Sequence, residues 1–287
     1  VPANLGLPIW KRWLLEVYLQ GTWPLRWRVN RRRAAAGRAP VMVLFYHRIA
    51  EHPANDWTLP FRQFQAQVTW LKRHFDIISL AEAQERISSG GNYRPAVCIT
   101  FDDGYADNCR HALPLLFRER LPFTYFVASD HVLHGRPFPH DFENGQPLRP
   151  NTIEEVREIT ERGGEVGAHT RTHADLGKIQ DSERLVEEVV GCRNDLQRVL
   201  GRPIRYFAFP YGRHENLNPK AFHLANQTGY RGVCSAYGGY NFPGDDAFHL
   251  QRIHADSDMV RLKNWLTVDP RKVRRGERFD YGRLRPE

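Results

Sequence analysis

Two polar clusters stand where apolar runs stop. The first is Thr100-Phe101-Asp102-Asp103-Gly104-Tyr105, closing the run AVCITF (96–101). Adjacent carboxylates at the end of a buried strand repel each other and lose solvation unless a cation or donor compensates. A divalent metal is the usual compensator, although Asp-Gly is also a common turn signal and an acidic turn fits the cluster equally well. The second cluster is His169-Thr170-Arg171-Thr172-His173, directly after EVGA. Imidazoles four residues apart lie on one face of a helical turn and can grip one ion. With thirteen histidines in the chain such a pair arises easily by chance, so its place at a strand end is what gives it weight. Asp103, His169 and His173 would make three protein ligands and leave positions open for water and substrate. That is the layout of a catalytic rather than a structural site. Imidazole and carboxylate ligands suit Zn²⁺ first, with Co²⁺ or Ni²⁺ also compatible.

The elements that must position these groups follow an α/β pattern. VMVLFY (41–46), AVCITF (96–101), FTYFVA (123–128), EVGAH (165–169) and YFAFP (206–210) read as buried strands, with IISL (77–80), RGVCSA and FHLQRI as further ones. Between them, FRQFQAQVTWLKRHF (61–75), NCRHALPLLFRER, TIEEVREITERG (152–163) and SERLVEEVVGCRNDLQRVLG (182–201) carry helical periodicity. Thr152 before an acidic first turn fits an N-cap, and Gly201 fits a helix stop. Alternating buried strands and helices imply parallel βα units. In such folds the chemistry sits at the C-terminal strand ends, where His47, Asp102-Asp103, His169 and Pro210-Tyr211 all fall. Residues 130–150, rich in Pro, Gly and His, read as a surface loop.

The chain has 287 residues, 41% of them hydrophobic, enough for a sizeable core and against disorder of the whole. Net charge is +8, and much of the excess lies in residues 11–38 and in the tail from Arg271 to Arg285. Basic ends favour acidic surfaces or simply remain solvated. No zinc-finger or RNP-type spacing accompanies them, so no nucleic acid is expected as a partner. Trp10, Trp13, Leu14 and Tyr18 recur at helical spacing within 8–29. That stretch reads either as an interfacial helix, giving peripheral membrane contact through residues 8–33, or as a helix packed on the domain with tryptophan anchors. Residues 30–40 read as a linker. The expected division is thus a basic extension (1–39) and a catalytic domain (40–287). The four cysteines show no CxxC pair, mildly favouring a reducing compartment. No signal-peptide pattern is recognisable, which favours a cytoplasmic or peripheral-membrane location and leaves a secreted or periplasmic one open.

TFDDGYADN (100–108) followed by GGEVGAHTRTH (163–173) resembles the first two motifs of the polysaccharide deacetylase family, carbohydrate esterase family 4, over about residues 41–255. The resemblance implies a distorted (β/α) barrel of about seven parallel strands. It implies removal of acetyl from N-acetylglucosamine-type residues of a glycan, with Asp102 as general base and Asp103, His169 and His173 as metal ligands. Where the family's third motif has Arg-x-Pro-Tyr, this chain has Ala208-Phe209-Pro210-Tyr211. The stretch FAFPYG (207–212) is similar to a subgroup that includes biofilm poly-N-acetylglucosamine deacetylases. There the Tyr211 backbone N–H is the expected oxyanion donor. Tyr46-His47 near the domain start matches the same subgroup and makes His47 the expected general acid, with His254 as the alternative. Arg252 is expected near the acidic cluster and, with Tyr105 and Pro210, at the substrate; Tyr237 and Tyr240 are further candidates for a sugar groove. Hydrolysis of another amide or of an O-acetyl ester, or carbohydrate binding with weak catalysis, are the alternatives.

Overall fold

A computed structural model describes residues 8–53, 55–255, 257–269, 273 and 278–282. In chain order the strands are β1 (Val41–Tyr46), β2 (Arg48–Ile49), β3 (Thr58–Leu59), β4 (Asp76–Ile77), β5 (Ala96–Phe101), β6 (Thr124–Val127), β7 (Glu165–Ala168), β8 (Tyr206–Ala208), β9 (Gly232–Cys234), β10 (His249–Leu250) and β11 (Arg252–His254). The helices are α1 (Ile9–Ala35), α2 (Phe61–His74), α3 (Leu80–Ser88), α4 (Asp107–Arg110), α5 (Ala112–Arg118), α6 (Ser129–His134), α7 (Pro139–Glu143), α8 (Ile153–Glu161), α9 (Ser182–Val186), α10 (Cys192–Leu200), α11 (Pro219–Gln227) and α12 (Met259–Leu266).

The main sheet runs β10-β9-β8-β7-β6-β5-β1-β11, all parallel, with β4 beside the start of β5. Its two edge strands, β10 and β11, are separated in sequence by Gln251 alone. The sheet therefore curls back on itself into a nearly closed barrel, as the resemblance implies. Asn241 seals the seam. Its Nδ2 donates to the carbonyls of Val41 (3.2 Å) and Gln251 (2.9 Å), and its Oδ1 accepts the Gln251 N–H at 2.9 Å.

Strand alternation sorts the core into two compartments. Val41, Val43, Ala96, Cys98, Phe126, Tyr206, Ala208, Cys234 and Leu250 fill the inside, and α3 closes its floor with Leu80, Ala83 and Ile87. Met42, Leu44, Val97, Ile99, Phe101, Val127, Val166 and Phe207 face the surrounding helices. With the floor plugged by apolar side chains, the polar strand ends gather at the opposite rim. Cys98 is the buried small hydrophobe expected of it, and all four cysteines are free.

Several elements differ from expectation. Thr152 does cap α8, in a full capping box with Glu155, and Gly201 ends α10 in the left-handed conformation. Helix 182–201, however, carries a π-helical turn at Glu187–Gly191, and helix 107–118 breaks at His111. The supposed linker 30–40 is helical as far as Ala35, because Arg26 and Asn30 anchor α1 to α12 with buried hydrogen bonds. Trp10 and Trp13 are not packing anchors; both are more than half exposed. Residues 130–150 are not a plain surface loop. They form α6 and α7 and bury Phe138, Asp141 and Leu148 against Tyr105. Most of the basic tail Arg271–Arg285 lies outside the described residues; within it, Arg278 pairs with Asp245 at 2.8 Å.

Candidate active site

Asp102 and Asp103 leave the end of β5 side by side, both 3% exposed. The Asp102 N–H continues the ladder to Tyr46 O at 2.8 Å, but Asp103 turns to φ 71° and Gly104 to φ 83°. A non-glycine residue in the left-handed region costs backbone energy and is held there by its surroundings. The reversal swings the two carboxylates apart, and they acquire opposite environments.

Asp102 points into the barrel, where Arg252 of β11 meets it with a two-bonded fork: Nη1 donates to Oδ1 at 2.6 Å and Nη2 to Oδ2 at 2.8 Å. Arg252 is fully buried, lies over the rings of Phe45 and Phe126, and also donates to Ser235 O and Thr100 Oγ1. Burial alone would raise the Asp102 pKa, but the guanidinium, with His169 and His47, holds the carboxyl below its ordinary range. Arg252 thus reaches Asp102 from β11, while β8 ends in Ala208, where the family motif has Arg. It is spent on Asp102 and does not face a substrate, which corrects its expected substrate contact.

Asp103 faces two imidazoles. Its Oδ1 lies 3.4 Å from His169 Nε2 and 3.1 Å from His173 Nε2, and one ligand atom from each of the three residues falls within 4.8 Å of the others. His169 Nδ1 donates to the Ala208 carbonyl at 2.8 Å, which fixes the tautomer and leaves Nε2 as a bare lone pair aimed at the carboxylate. Asp103 Oδ1 is buried and receives no hydrogen bond among the described residues. Converging buried acceptors without a donor between them suit a divalent cation, so the donor set fits one. Burial pushes the Asp103 pKa up, but the positive charge and hydrogen bonding that His173 and His169 supply when protonated outweigh it and hold the carboxyl well below the carboxylate range.

His169 and His173 do not share a helical turn. The segment after β7 is irregular, with Thr170 and His173 both at φ 58°. Glu188, 4% exposed on the π-helical turn, pins it. Its carboxylate accepts the N–H groups of Arg171 and Thr172, each at 2.9 Å, and the Thr172 hydroxyl at 2.6 Å. The extra residue of a π turn re-aims side chains locally. Nothing in the sequence around Glu188 marks this role, since it sits in an ordinary Glu-rich helix.

His47 caps β1. Asn108 holds the strand end, donating to His47 O at 2.7 Å and accepting from Ile49 N–H at 2.9 Å. His47 Nδ1 is buried and has no hydrogen bond among the described residues. Burial depresses the His47 pKa, opposed by the Asp103 and Asp102 carboxylates. The His254 ring centroid lies 6.1 Å away, and burial and His47 push the His254 pKa down to about 4. Two hollows meet at these histidines. One, of about 720 Å³, runs past Phe45, Tyr211 and Arg213, and one, of about 230 Å³, past Trp57, Thr58 and Arg261.

Tyr211 follows β8 at φ 60°, 56% exposed, with its ring 5.2 Å from that of His173. Among the described residues no acceptor takes its N–H. Pro210 beside it is buried. Tyr105 is also buried; its hydroxyl lies 3.0 Å from His140 Nε2 and donates to Asp141, so the ring offers no face to a sugar, which corrects that expectation. Tyr240 is likewise buried, donating to Trp265 O, and the Tyr237 ring lies tilted against His214 with centroids 4.2 Å apart. His140, on α7, stands over His173 at 5.8 Å between ring centroids.

Residues 90–233 match the family profile described as polysaccharide deacetylase. YxkH of Bacillus subtilis, which carries the polysaccharide deacetylase name, is 23% identical over 225 residues, 77% of this chain and 73% of that protein. A poly-beta-1,6-N-acetyl-D-glucosamine N-deacetylase of Staphylococcus aureus is 23% identical over 222 residues, 74% of this chain and 73% of that protein. Among solved structures, IcaB from Ammonifex degensii aligns with a TM-score of 0.66 and 26% identity over 80% of this chain and 97% of that one. The Streptococcus pyogenes deacetylase PplD aligns at 0.67 and 19% identity over 81% of this chain and 100% of that one.

Proposed function

We propose, from the premise that the chain belongs to the polysaccharide deacetylase family, that it is a metal-dependent hydrolase removing N-acetyl groups from N-acetylglucosamine-type residues of a polysaccharide. One observation carries this reading: two neighbouring buried carboxylates are set apart, Asp102 clamped by a guanidinium and Asp103 left facing the Nε2 atoms of two imidazoles. A binding protein has no use for such a division. The substrate named for the Staphylococcus aureus relative supports the choice of sugar.

A divalent ion held by Asp103, His169 and His173, Zn²⁺ first and Co²⁺ or Ni²⁺ as alternatives, would supply Lewis-acid polarisation and acidify a bound water. Asp102 stays ionised at neutral pH because Arg252 neutralises it. Each of its oxygens accepts one N–H from Arg252, which leaves lone pairs free to take a proton from the attacking water. The Tyr211 N–H, turned outward by the left-handed backbone, donates to the oxygen of the developing tetrahedral centre. His47 delivers a proton to the departing sugar nitrogen; burial lowers its pKa, and the Asp103 and Asp102 carboxylates offset only part of that shift. Both hollows beside His47 offer room for sugar units on either side of the scissile amide.

The test is release of free amine from N-acetylglucosamine oligomers by metal-stripped protein, with and without added Zn²⁺ or Co²⁺. Release restored by metal is the expected result. Asp103→Asn and His173→Ala are each expected to abolish turnover and weaken metal retention in equilibrium dialysis. Full activity in either variant sinks the ligand assignment. Acetate release from an O-acetylated glycan without amine release would replace the amide by an ester.

A further inference from the structure

Helix α1 is amphipathic in the inverted sense. The face turned to the barrel buries Leu19 but is otherwise largely polar. Arg26, 1% exposed, donates to Asn264 O at 3.0 Å, Asn264 Oδ1 at 2.9 Å and Thr267 Oγ1 at 3.1 Å; Asn30 donates to Thr267 O at 2.7 Å, and the Tyr18 hydroxyl to Asp269. The face turned to solvent carries an apolar patch in its first half and cations in its second. Ile9, Trp10, Trp13, Leu14 and Val17 are between 49% and 89% exposed, and Trp23, Leu25 and Trp27 extend the patch at 46% to 58%. Helices that serve only the core of their own domain turn the apolar stripe inward. Here hydrogen bonds do the docking and the stripe is left outside, a patch large enough to mark an interaction surface.

Charge and residue type select the partner. α1 carries seven Lys or Arg against one acid, Glu16, and four of the chain's seven tryptophans. Arg28, Arg31 and Arg32 are exposed on the helix, as are Lys11 and Arg12 near its start. Tryptophan rings prefer the boundary between headgroups and acyl chains, and cations there meet lipid phosphates. Beside the stripe, a groove of about 490 Å³ opens between α1, the end of α2 and α12. Leu19, Trp23, Trp70 and Leu266 make its walls, with Arg31 and Lys263 also lining it. Apolar walls accompanied by cations match one chain of an anionic phospholipid.

We propose that α1 docks the protein on an anionic phospholipid surface, lying in the plane of the interface. It does not span: no helix among the described residues is long and apolar enough to cross a membrane. The first half of α1 is held by Arg12, which pairs with Asp258 at 3.6 Å just ahead of α12.

The test is sedimentation of the full chain with vesicles of phosphatidylcholine alone or mixed with phosphatidylglycerol. The expected result is binding to the mixed vesicles, weakened by salt and by Arg28→Ala/Arg31→Ala/Arg32→Ala. Trp10→Ala/Trp13→Ala should lower the partition coefficient by about tenfold or more. Amine release from soluble oligomers should be unchanged in both variants, since these side chains touch neither the site nor the core. Absence of binding to the mixed vesicles overturns the proposal. So does equal binding to both lipid compositions, equal binding of the tryptophan variant, or a lipid-independent dimer dissolved by the same substitutions, which would make a second copy the occupant.

Discussion

Arg252 crosses the inside of the barrel to reach Asp102, and both partners are buried, so neither can be removed without leaving the other unpaired. Arg252→Lys keeps a charge but loses the fork. It is expected to lower kcat by about 10²- to 10⁴-fold, the range for a misplaced acid–base group, with metal retention unchanged in equilibrium dialysis. Arg252→Ala is expected to cost about 3–5 kcal/mol in urea unfolding, because a buried carboxylate is stranded. Glu188 acts on the other carboxylate at one remove. Glu188→Gln replaces an acceptor of three hydrogen bonds by a group that is part donor, and metal affinity should fall by about tenfold to a hundredfold. At this scale the sequence is generous where chemistry demands residue types and silent where geometry does the work. Asp102, Asp103, His169 and His173 are legible because both clusters fall at strand ends and together match two family motifs; either cluster alone reads equally well as a turn or a chance pair. Arg252 is legible only as a cation near the acids. Glu188 is illegible, because its role depends on a π turn that no local pattern encodes.

The elements tell a similar story of period and exception. Buried strands are continuous apolar runs and the helices between them repeat with a period of about three and a half, so parallel βα units can be read from the sequence, while their closure into a barrel is what the family resemblance implies. The exceptions are short and conformational. Asp103, Thr170, His173 and Tyr211 all adopt positive φ at the ends of three different strands. No residue preference announces that, which is why the His-x-x-x-His segment looks helical in sequence and is not. The cover formed by α6 and α7 is missed for a related reason: Pro, Gly and His suggest a loop, while Phe138 and Asp141 bury themselves against Tyr105. The barrel seam offers a direct check on the architecture. Asn241→Ala removes three hydrogen bonds between Val41, Gln251 and Asn241. A loss of about 1–3 kcal/mol for each group left unpaired is expected in chemical denaturation.

For the molecule as a whole, Asp141 ties pH to stability. Burial raises its carboxyl to about 7, with Asp103 adding to the shift and the Tyr105 hydroxyl and Arg48 opposing it; His140 lies alongside. Between about pH 4, where the unfolded carboxyl ionises, and about pH 7, the folded chain holds the extra proton. This group's contribution to stability is therefore fully present below that window and is lost as pH rises through it. Asp141→Asn should flatten this part of the profile of urea midpoint against pH. An unchanged slope would show that the carboxyl is not held neutral. The same whole-molecule scale governs how the site comes into being. Arg26 bonds to Asn264 across 238 residues of sequence, and β11, bearing Arg252, lies against β1. During synthesis on the ribosome, the first helix and first strand must wait for nearly all of the chain to emerge before they find these partners. Asp102 is without its guanidinium throughout that interval, so a nascent chain released before residue 252 lacks the group that holds this carboxylate, however well its earlier strands have paired.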